Sequence, residues 1–550
     1  MRKLTLENYS TLKYLSKLAN YEEYNSNIVT MLMWNHYYEI YYKLCDHYAL
    51  IFVQYPNSYA WLMPLCDKQY LKEAFESMKQ YSIDHHFDFI VHGMTQDIKE
   101  YCESNGIPFI YEQDVDAQDY VYDIEMHKTL SGKKMQKRRN HFNAFMKEYE
   151  QRYFYRALNK EDKESVLFFL DEWMQSSEYK DSIEVEKTGI SYLFDVFEEL
   201  DLKGGCIFVD GKLKGFNIYS GLSDRMLQMH VEKVDKSIRG LSCALLKFTL
   251  QDCGDYTLMN REDDMGLEHL RKAKKDMNPI YKIKKYTAIY GNTEIVTAKD
   301  DDLPKIKKLW LDSFEDEDEH SANFYFDHLY HKENTYLLKS NHTILSMLQI
   351  RYMDIMKDHQ KMNVGLIFGV ATHQKYQGCG YMKMLLNHVL EKYSKDFILI
   401  QAYNWDIYQS FGFKEAYTYK QSLFESRGEY NGKECYDSKH LLSIYNDFVM
   451  DKDGYRIRDE KYYDEFFIPY YKPYYEIIAN EDAYIVVDKE YSYVFECIYR
   501  NEDALISLLN RFEKIVVNGN LSFGEYKTCH MLMARGLFNK NDSLFIHESI

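Results

Sequence analysis

Proline is scarce in this chain, with seven in 550 residues, and no low-complexity stretch occurs. That excludes long extended tethers and predicts units joined closely. No run of 18 apolar residues is present, so no membrane-spanning helix is expected. The opening, MRKLTLENYSTLKYL, lacks the apolar stretch and small-residue cleavage site of a secretory leader, and a cytoplasmic location is expected. The ten cysteines form no C-x-x-C pair and no Cys/His group at zinc spacing. We therefore expect free thiols and no metal. Positive charge is in deficit, with 68 Lys and Arg against 86 Asp and Glu, a net charge of −18. A surface serving as a nucleic-acid platform throughout is excluded; local basic patches are not. What remains is a globular composition, 46% hydrophobic and 28% charged, long enough for three or four units of about 150 residues.

The segment Gly369 to Leu386, GVATHQKYQGCGYMKMLL, carries the most chemistry. The apolar run Gly365-Leu366-Ile367-Phe368-Gly369-Val370 reads as a buried strand. Gly378 and Gly380 then flank Cys379 in a tight turn. Met382, Leu385, Leu386, Val389 and Leu390 follow at helical spacing and predict a buried helix face. Strand, glycine turn and helix N-terminus together make a pyrophosphate site. Glycines let the backbone approach, amide N–H groups point at the anion, and the helix dipole favours its charge. A plain structural βα turn would share the Gly-x-Gly pattern. Cys379 is expected there for its size.

Gln377-Gly378-Cys379-Gly380-Tyr381-Met382 resembles the Q/R-x-x-G-x-G/A signature of the GNAT acyl-CoA N-acyltransferases. The longer GVATHxxYxGxGYM is similar to the branch with the enhanced-intracellular-survival acetyltransferases. Gln377 stands where Arg is usual, and Met382 where Gly or Ala is usual; the Met fits that branch. Downstream, Phe397-Ile398-Leu399-Ile400 reads as a short strand and Asn404 to Ser410 as a short helix. Asn404, Tyr408 and Gly412-Phe413 resemble the family's N-x-x-x-Y-x-x-x-G-F stretch. The resemblance implies acetyl-CoA as acyl donor. The backbone of Val370 and Ala371 would pair with the pantetheine arm, the N–H groups from Gln377 to Met382 would hold the pyrophosphate, and Asn404 would also bind the cofactor. Tyr408 would protonate the leaving thiolate, which departs more easily when a proton arrives with it. Among 53 tyrosines, most are core or surface aromatics; the place of Tyr408 after the strand and before Gly-Phe singles it out.

Four times the chain shows two β-rich runs joined by a turn: Ala49–Val53 to Ala60–Met63, Cys206–Lys212 to Phe216–Tyr219, Tyr336–Leu338 to Ile344–Met347, and Tyr484–Val487 to Tyr493–Phe495. Asp210-Gly211 is a strong hairpin signal, because a type I′ turn needs positive φ. Helical segments precede each pair. We expect an α+β fold of tandem GNAT-like units, each a mixed, mainly antiparallel twisted sheet flanked by helices. The expected organisation is 1–290 with lobes of about 1–125 and 126–290, then a GNAT domain at 291–430, then a degenerate GNAT-like lobe at 431–550.

The first half carries its own resemblance. Its segments are Asp119–Asp123, Leu130–His141, His230–Asp235 with Ile238-Arg239-Gly240, Asn260–Leu267, and Leu270–Lys274. Together these resemble the family related to the catalytic C-terminal domain of phosphatidylglycerol lysyltransferase. That resemblance implies a tandem GNAT-like fold and, in the relative, aminoacyl transfer from tRNA to a lipid headgroup. Read directly, five of seven residues from Lys133 to Arg139 are basic. They crowd the first turns of a helix whose face is Met135, Phe142, Phe145, Met146 and Tyr149. Positive charge at a helix N-terminus opposes the dipole, so a phosphate there would be stabilising; a solvated basic face is the alternative. Lys133, Lys134, Lys137, Arg138, Arg139, Arg239, Arg271 and Lys274 are the candidate anion-binding residues of this half, for CoA or a nucleic-acid end.

The acidic run Glu315–Glu319 falls where a GNAT unit often builds its acceptor wall, and an acidic wall would favour a cationic amine; a solvated loop is the other reading. The leading expectation is an acyl-CoA-dependent N-acyltransferase, acetyl by preference, acting by direct attack of a neutral small-molecule or peptide amine on the thioester. The alternatives are an aminoacyl-tRNA-dependent transferase in residues 1–290, or a non-catalytic acceptor-binding role for that half.

Overall fold

Asp210 and Gly211 have φ of 49° and 78°, and only these two residues join strands Lys203–Val209 and Lys212–Gly221. Asp358 and His359, at 52° and 58°, do the same between Thr343–Lys357 and Gln360–Thr372. Positive φ at both central residues gives the turn the twist of the strands it links. All four β-rich pairs of the sequence are antiparallel neighbours.

The computed structural model describes residues 1–55, 58–175, 180–315, 317–393, 397–402, 404–519, 521, 525–536 and 544–546. The chain divides into two units, Met1–Asn292 and Thr293–Ile550. Both are α+β, with mixed, mainly antiparallel sheets flanked by helices.

One pattern occurs four times. An antiparallel meander ends on a strand, a helix follows, and the next strand returns parallel to the last. The parallel pairs are Ser58–Trp61 with Ile90–Thr95, Met226–Val234 with Leu258–Asn260, Gln360–Thr372 with Ile398–Gln401, and Tyr493–Tyr499 with Lys514–Asn518. The intervening helices are Leu71–Asp84, Leu241–Gln251, Tyr381–Lys392 and Glu502–Leu509. Ligands of such sheets collect outside the C-terminal ends of parallel strands, where the chain diverges.

In each unit the last strand enters a sheet begun much earlier. Lys285–Tyr290 lies between Ile90–Thr95 and Phe109–Gln113, and Tyr526–Arg535 lies between Ile398–Gln401 and Lys414–Glu425. The units differ at the seam between their lobes. In the first, Phe109–Gln113 and Asp119–Asp123 belong to separate sheets; in the second, Lys414–Glu425 is one strand that continues a 13-stranded sheet.

Helix Tyr381–Lys392 buries Tyr381, Leu385, Leu386, Val389 and Leu390. Each fully buried Leu contributes about 2 kcal/mol. Met382, expected on this face, is only half-buried, because Tyr381 takes the first position of the stripe. Helix Gln136–Tyr149 buries Phe145 and packs Phe142, Met146 and Tyr149 on the same core, as its periodicity predicts. The helix starts at Gln136, so Lys133 and Lys134 precede it in a turn.

Candidate active site

Strand Gln360–Thr372 carries a bulge. Phe368 pairs with Gln349 and Ala371 with Met347, so Gly369 and Val370 together oppose Leu348. Gly369 has φ of 59°, and a Cβ there would stand 2.5 Å from Trp310 Cζ3. Only glycine satisfies both the left-handed backbone and the close approach. The parallel pairing with Ile398–Gln401 stops at Ile367, while the strand runs on to Thr372. Beyond the bulge, that side of the strand has no partner strand among the described residues. An extended ligand can add there as a strand would.

The turn after the strand is held by its own side chains. His373 Nδ1 accepts from Lys375 N at 3.3 Å, and Gln377 Nε2 donates to the Thr372 carbonyl at 3.2 Å. Cys379 is buried and its thiol donates to the Gln377 carbonyl. Gly378 and Gly380 have φ of 71° and 94°. Gly380 is the N-cap of helix Tyr381–Lys392, with no side-chain cap and no acidic residue in the first turn. An N-terminus without a side-chain cap presents its N–H groups and the positive end of its dipole to an anion. No atom lies within 4 Å of a Cβ placed on Gly380, so the approach is open. These residues fit a pyrophosphate.

Helix Trp405–Gln409 follows the parallel strand Ile398–Gln401, at the same end of the crevice as the glycine turn. Asn404 caps it, accepting from Asp406 N at 3.1 Å, so its side chain has a structural task. Tyr408 is half-buried, and burial raises its pKa, so the phenol keeps its proton at neutral pH. Trp310, Tyr325 and Phe368 form an aromatic wall under the bulge, with Trp310 and Tyr325 stacked at 5.0 Å. Tyr325 donates to Gln349 Oε1 at 2.5 Å, and Gln349 Nε2 is buried without a partner among the described residues. In the acidic run, Asp318 caps helix Glu319–His328 by accepting from Ser321 N at 2.8 Å and also accepts from the Tyr474 hydroxyl. Asp316 lies outside the described residues.

Four of the candidate basic residues of the first half are held by groups of the protein. Lys137 pairs with Asp276 at 2.6 Å, and Arg139 donates to the carbonyls of Leu130 and Gly132. Arg271 is paired with Asp264 and Asp116. Lys274 donates to the carbonyls of Arg261 and Asp263, and burial lowers its pKa to about 8. Lys133, Lys134 and Arg239 are exposed, and the buried Nε of Arg138 has no hydrogen-bond partner among the described residues.

The second lobe of this half repeats the bulge. Tyr219 pairs with Met229 and Ile218 with Val231, which sets His230 apart. His230 precedes the left-handed N-cap Gly240 by ten residues (240 − 230), as Val370 precedes Gly380 (380 − 370). Here, however, the cradle is filled: a Cβ on Gly240 would meet the His141 carbonyl at 2.1 Å, because helix Gln136–Tyr149 packs across it.

Residues 17–289 match the family model for the C-terminal domain of phosphatidylglycerol lysyltransferase, and residues 294–416 match that for the acetyltransferase (GNAT) domain. The first match lies in the first unit and the second in the second unit. The GNAT half is an acyltransferase domain, which implies use of an acyl-CoA. A conserved protein of unknown function from Bacteroides thetaiotaomicron is 25% identical, with a TM-score of 0.50, covering 52% of this chain and 98% of its own. The L-PGS of Bacillus licheniformis covers 51% of this chain and 91% of its own at 13% identity and a TM-score of 0.38. An uncharacterized protein of Mycoplasmoides gallisepticum is 27% identical over 171 residues, which is 31% of this chain and 55% of that relative. The chain thus spans about half the length of that relative. Among the described residues no helix is long and apolar enough to cross a membrane, and no group of three metal-ligating side chains occurs.

Two features escape sequence reading. The first is the meeting of Trp310, Tyr325 and Gln349 from three elements: Trp310 and Tyr325 flank the acidic run in sequence, but Gln349 is marked only as a polar residue inside the apolar strand Thr343–Lys357. The second is a buried polar cluster at the seam of the first unit. Lys285 pairs with Asp119 at 2.6 Å, both fully buried, and its ammonium lies 4.1 Å from the Tyr24 ring centroid. Tyr24 donates to Asp263, and Asn260 donates to Asp119. Burial pushes the Glu23 carboxyl up to about 7, against the pull of Lys285.

Proposed function

We propose that the second unit transfers an acetyl group from acetyl-CoA to an amine. The observation that carries this reading is the bulge at Gly369 and Val370 leading into an uncapped helix N-terminus behind Gly380. The backbone of Val370 and Ala371 takes the pantetheine arm in strand fashion along the side that has no partner strand among the described residues. The N–H groups from Gln377 to Met382 hold the pyrophosphate. The aromatic wall of Trp310, Tyr325 and Phe368 excludes water beside the thioester. A neutral amine attacks the carbonyl, negative charge develops on the carbonyl oxygen, and the C–S bond then breaks while the surplus proton of the new amide nitrogen passes to solvent. Tyr408, protonated at neutral pH, supplies the proton to the departing thiolate. Asn404 serves this step by capping the helix that bears Tyr408.

A second reading concerns the first unit. Its lobe has the same bulge at His230, yet its cradle is filled by the His141 carbonyl. That favours a donor without a CoA pyrophosphate, such as an aminoacyl ester, in line with the phosphatidylglycerol lysyltransferase family. A binding role without chemistry is equally compatible with the filled cradle.

Calorimetric titration of acetyl-CoA into the full chain, beside a Gly378→Glu/Gly380→Glu variant, tests the main reading. Micromolar binding to the wild type and its loss in the variant are expected. Absence of binding to folded wild type would remove this reading and turn attention to aminoacyl-tRNA.

A further inference from the structure

Arg351 lies on strand Thr343–Lys357, two residues past Gln349 and therefore on the same face. Its guanidinium sits 4.4 Å from the ring centroid of Phe466, and its buried Nη1 has no hydrogen-bond partner among the described residues. Burial lowers its pKa, and the groups that oppose this are the hydroxyls of Tyr462, Tyr325, Tyr471 and Tyr470 rather than a carboxylate. Arg458, deeper in the same unit, shows the contrast: it is held by both oxygens of Glu496 at 3.0 and 2.7 Å. A guanidinium removed from water is costly unless an anion meets it.

The strand edge is open beside Arg351. Thr335–Ser340 covers that edge as far as Gln349, and Tyr455–Arg456 resumes the pairing at Ile355. A cavity of about 200 Å³ lies by the gap, lined by His328, Leu329, His331, Asn334, Arg351 and Tyr352. Its lining residues include an arginine, two histidines and an asparagine, and none of them is acidic. At about 30 Å³ per water-sized group, it admits several heavy atoms.

We infer that this cavity is an oxyanion subsite that receives the carboxylate of the amine acceptor. The inference rests on the acyltransferase reading of the same unit. The planar fork of Arg351 matches a carboxylate in two parallel hydrogen bonds, and Asn334 supplies a further donor. The bulge faces Leu348, three residues from Arg351, and so lies about 10 Å along the sheet and about 5 Å across from it. The acceptor class is therefore an amine that carries a carboxylate several bonds away, as in an amino acid or short peptide. A cationic acceptor, which the acidic run alone would have favoured, is not what this cavity selects.

The test uses the full chain saturated with CoA, titrated calorimetrically with 6-aminohexanoate and with 6-aminohexanamide, which keeps the amine and lacks the carboxylate. The carboxylate is expected to bind at least tenfold more tightly. Arg351→Gln should abolish the difference, with acetyl-CoA binding unchanged. Asn334→Asp leaves Arg351 in place and sets a carboxylate beside it, so it should abolish the difference too, which guards against a folding defect in the first variant. Equal binding of acid and amide by the wild type, binding of neither, or a preference that survives both variants overturns the inference. Inorganic phosphate should compete with 6-aminohexanoate; phosphate that binds without competing marks a separate anion site and overturns the acceptor assignment. Failure of the acyltransferase reading is distinct, since acetyl-CoA would then not bind. In that event phosphate binding lost in both variants preserves the oxyanion cavity, and its absence from the wild type removes the cavity as well.

Discussion

Gly369 faces Trp310 so closely that a methyl group would stand 2.5 Å from the indole. Gly369→Ala meets both that contact and a φ of 59°. A loss of about 2 kcal/mol or more is expected, with weaker acetyl-CoA binding because the bulge is displaced. Denaturant unfolding and calorimetry on the same variant check both. Wild-type stability with unchanged binding would show that the bulge is not held by this contact.

Glu23 gives a pH dependence with a defined sign. Its carboxyl is raised from the ordinary value to about 7 by burial, so the folded state holds a proton that the unfolded chain has released. The group therefore weakens the first unit as pH rises from about 4.5 to about 7, by about 3 kcal/mol in all, and costs nothing further above that range. Glu23→Gln lacks this slope. The stability difference between variant and wild type should move toward the variant across that window; a flat difference would refute the assignment.

Arg458 and Glu496 are both almost fully buried. Glu496→Ala leaves the guanidinium uncompensated and should cost about 3–5 kcal/mol. The double change Arg458→Met/Glu496→Leu should cost much less. Equal losses in both variants would show that packing, not charge, is at stake.

Gly240 separates the two units experimentally. A Cβ there meets the His141 carbonyl at 2.1 Å, so Gly240→Ala should destabilise the first unit by about 2 kcal/mol or more. Acetyl-CoA binding should be untouched. A fall in affinity would tie the donor site to the first unit.

Local signals were legible in the sequence, and long-range closures were not. Asp210-Gly211 announces its hairpin because positive φ is a property of two adjacent residues. The turn from Gln377 to Gly380 is equally local, and its anion-binding geometry follows from glycine and helix polarity alone. Asn404, by contrast, matches a motif position, and only geometry shows that its Oδ1 also caps a helix. Arg271 reads as a free cation until Asp116 and Asp264 are brought to it from 155 and 7 residues away. The Lys285–Asp119 pair spans separate sheets, and no periodicity in either strand marks it.

The late strands Lys285–Tyr290 and Tyr526–Arg535 set a timetable for synthesis. A ribosome that has made residues up to 280 has delivered both neighbours of the first missing strand, Ile90–Thr95 and Phe109–Gln113, with a strand-wide slot between them. Their facing edges stay exposed to other strands until the final residues of the unit emerge. The second unit repeats the wait, with Ile398–Gln401 and Lys414–Glu425 held open for more than a hundred residues of translation. Each half of this protein is thus closed by a strand made long after the two neighbours it joins.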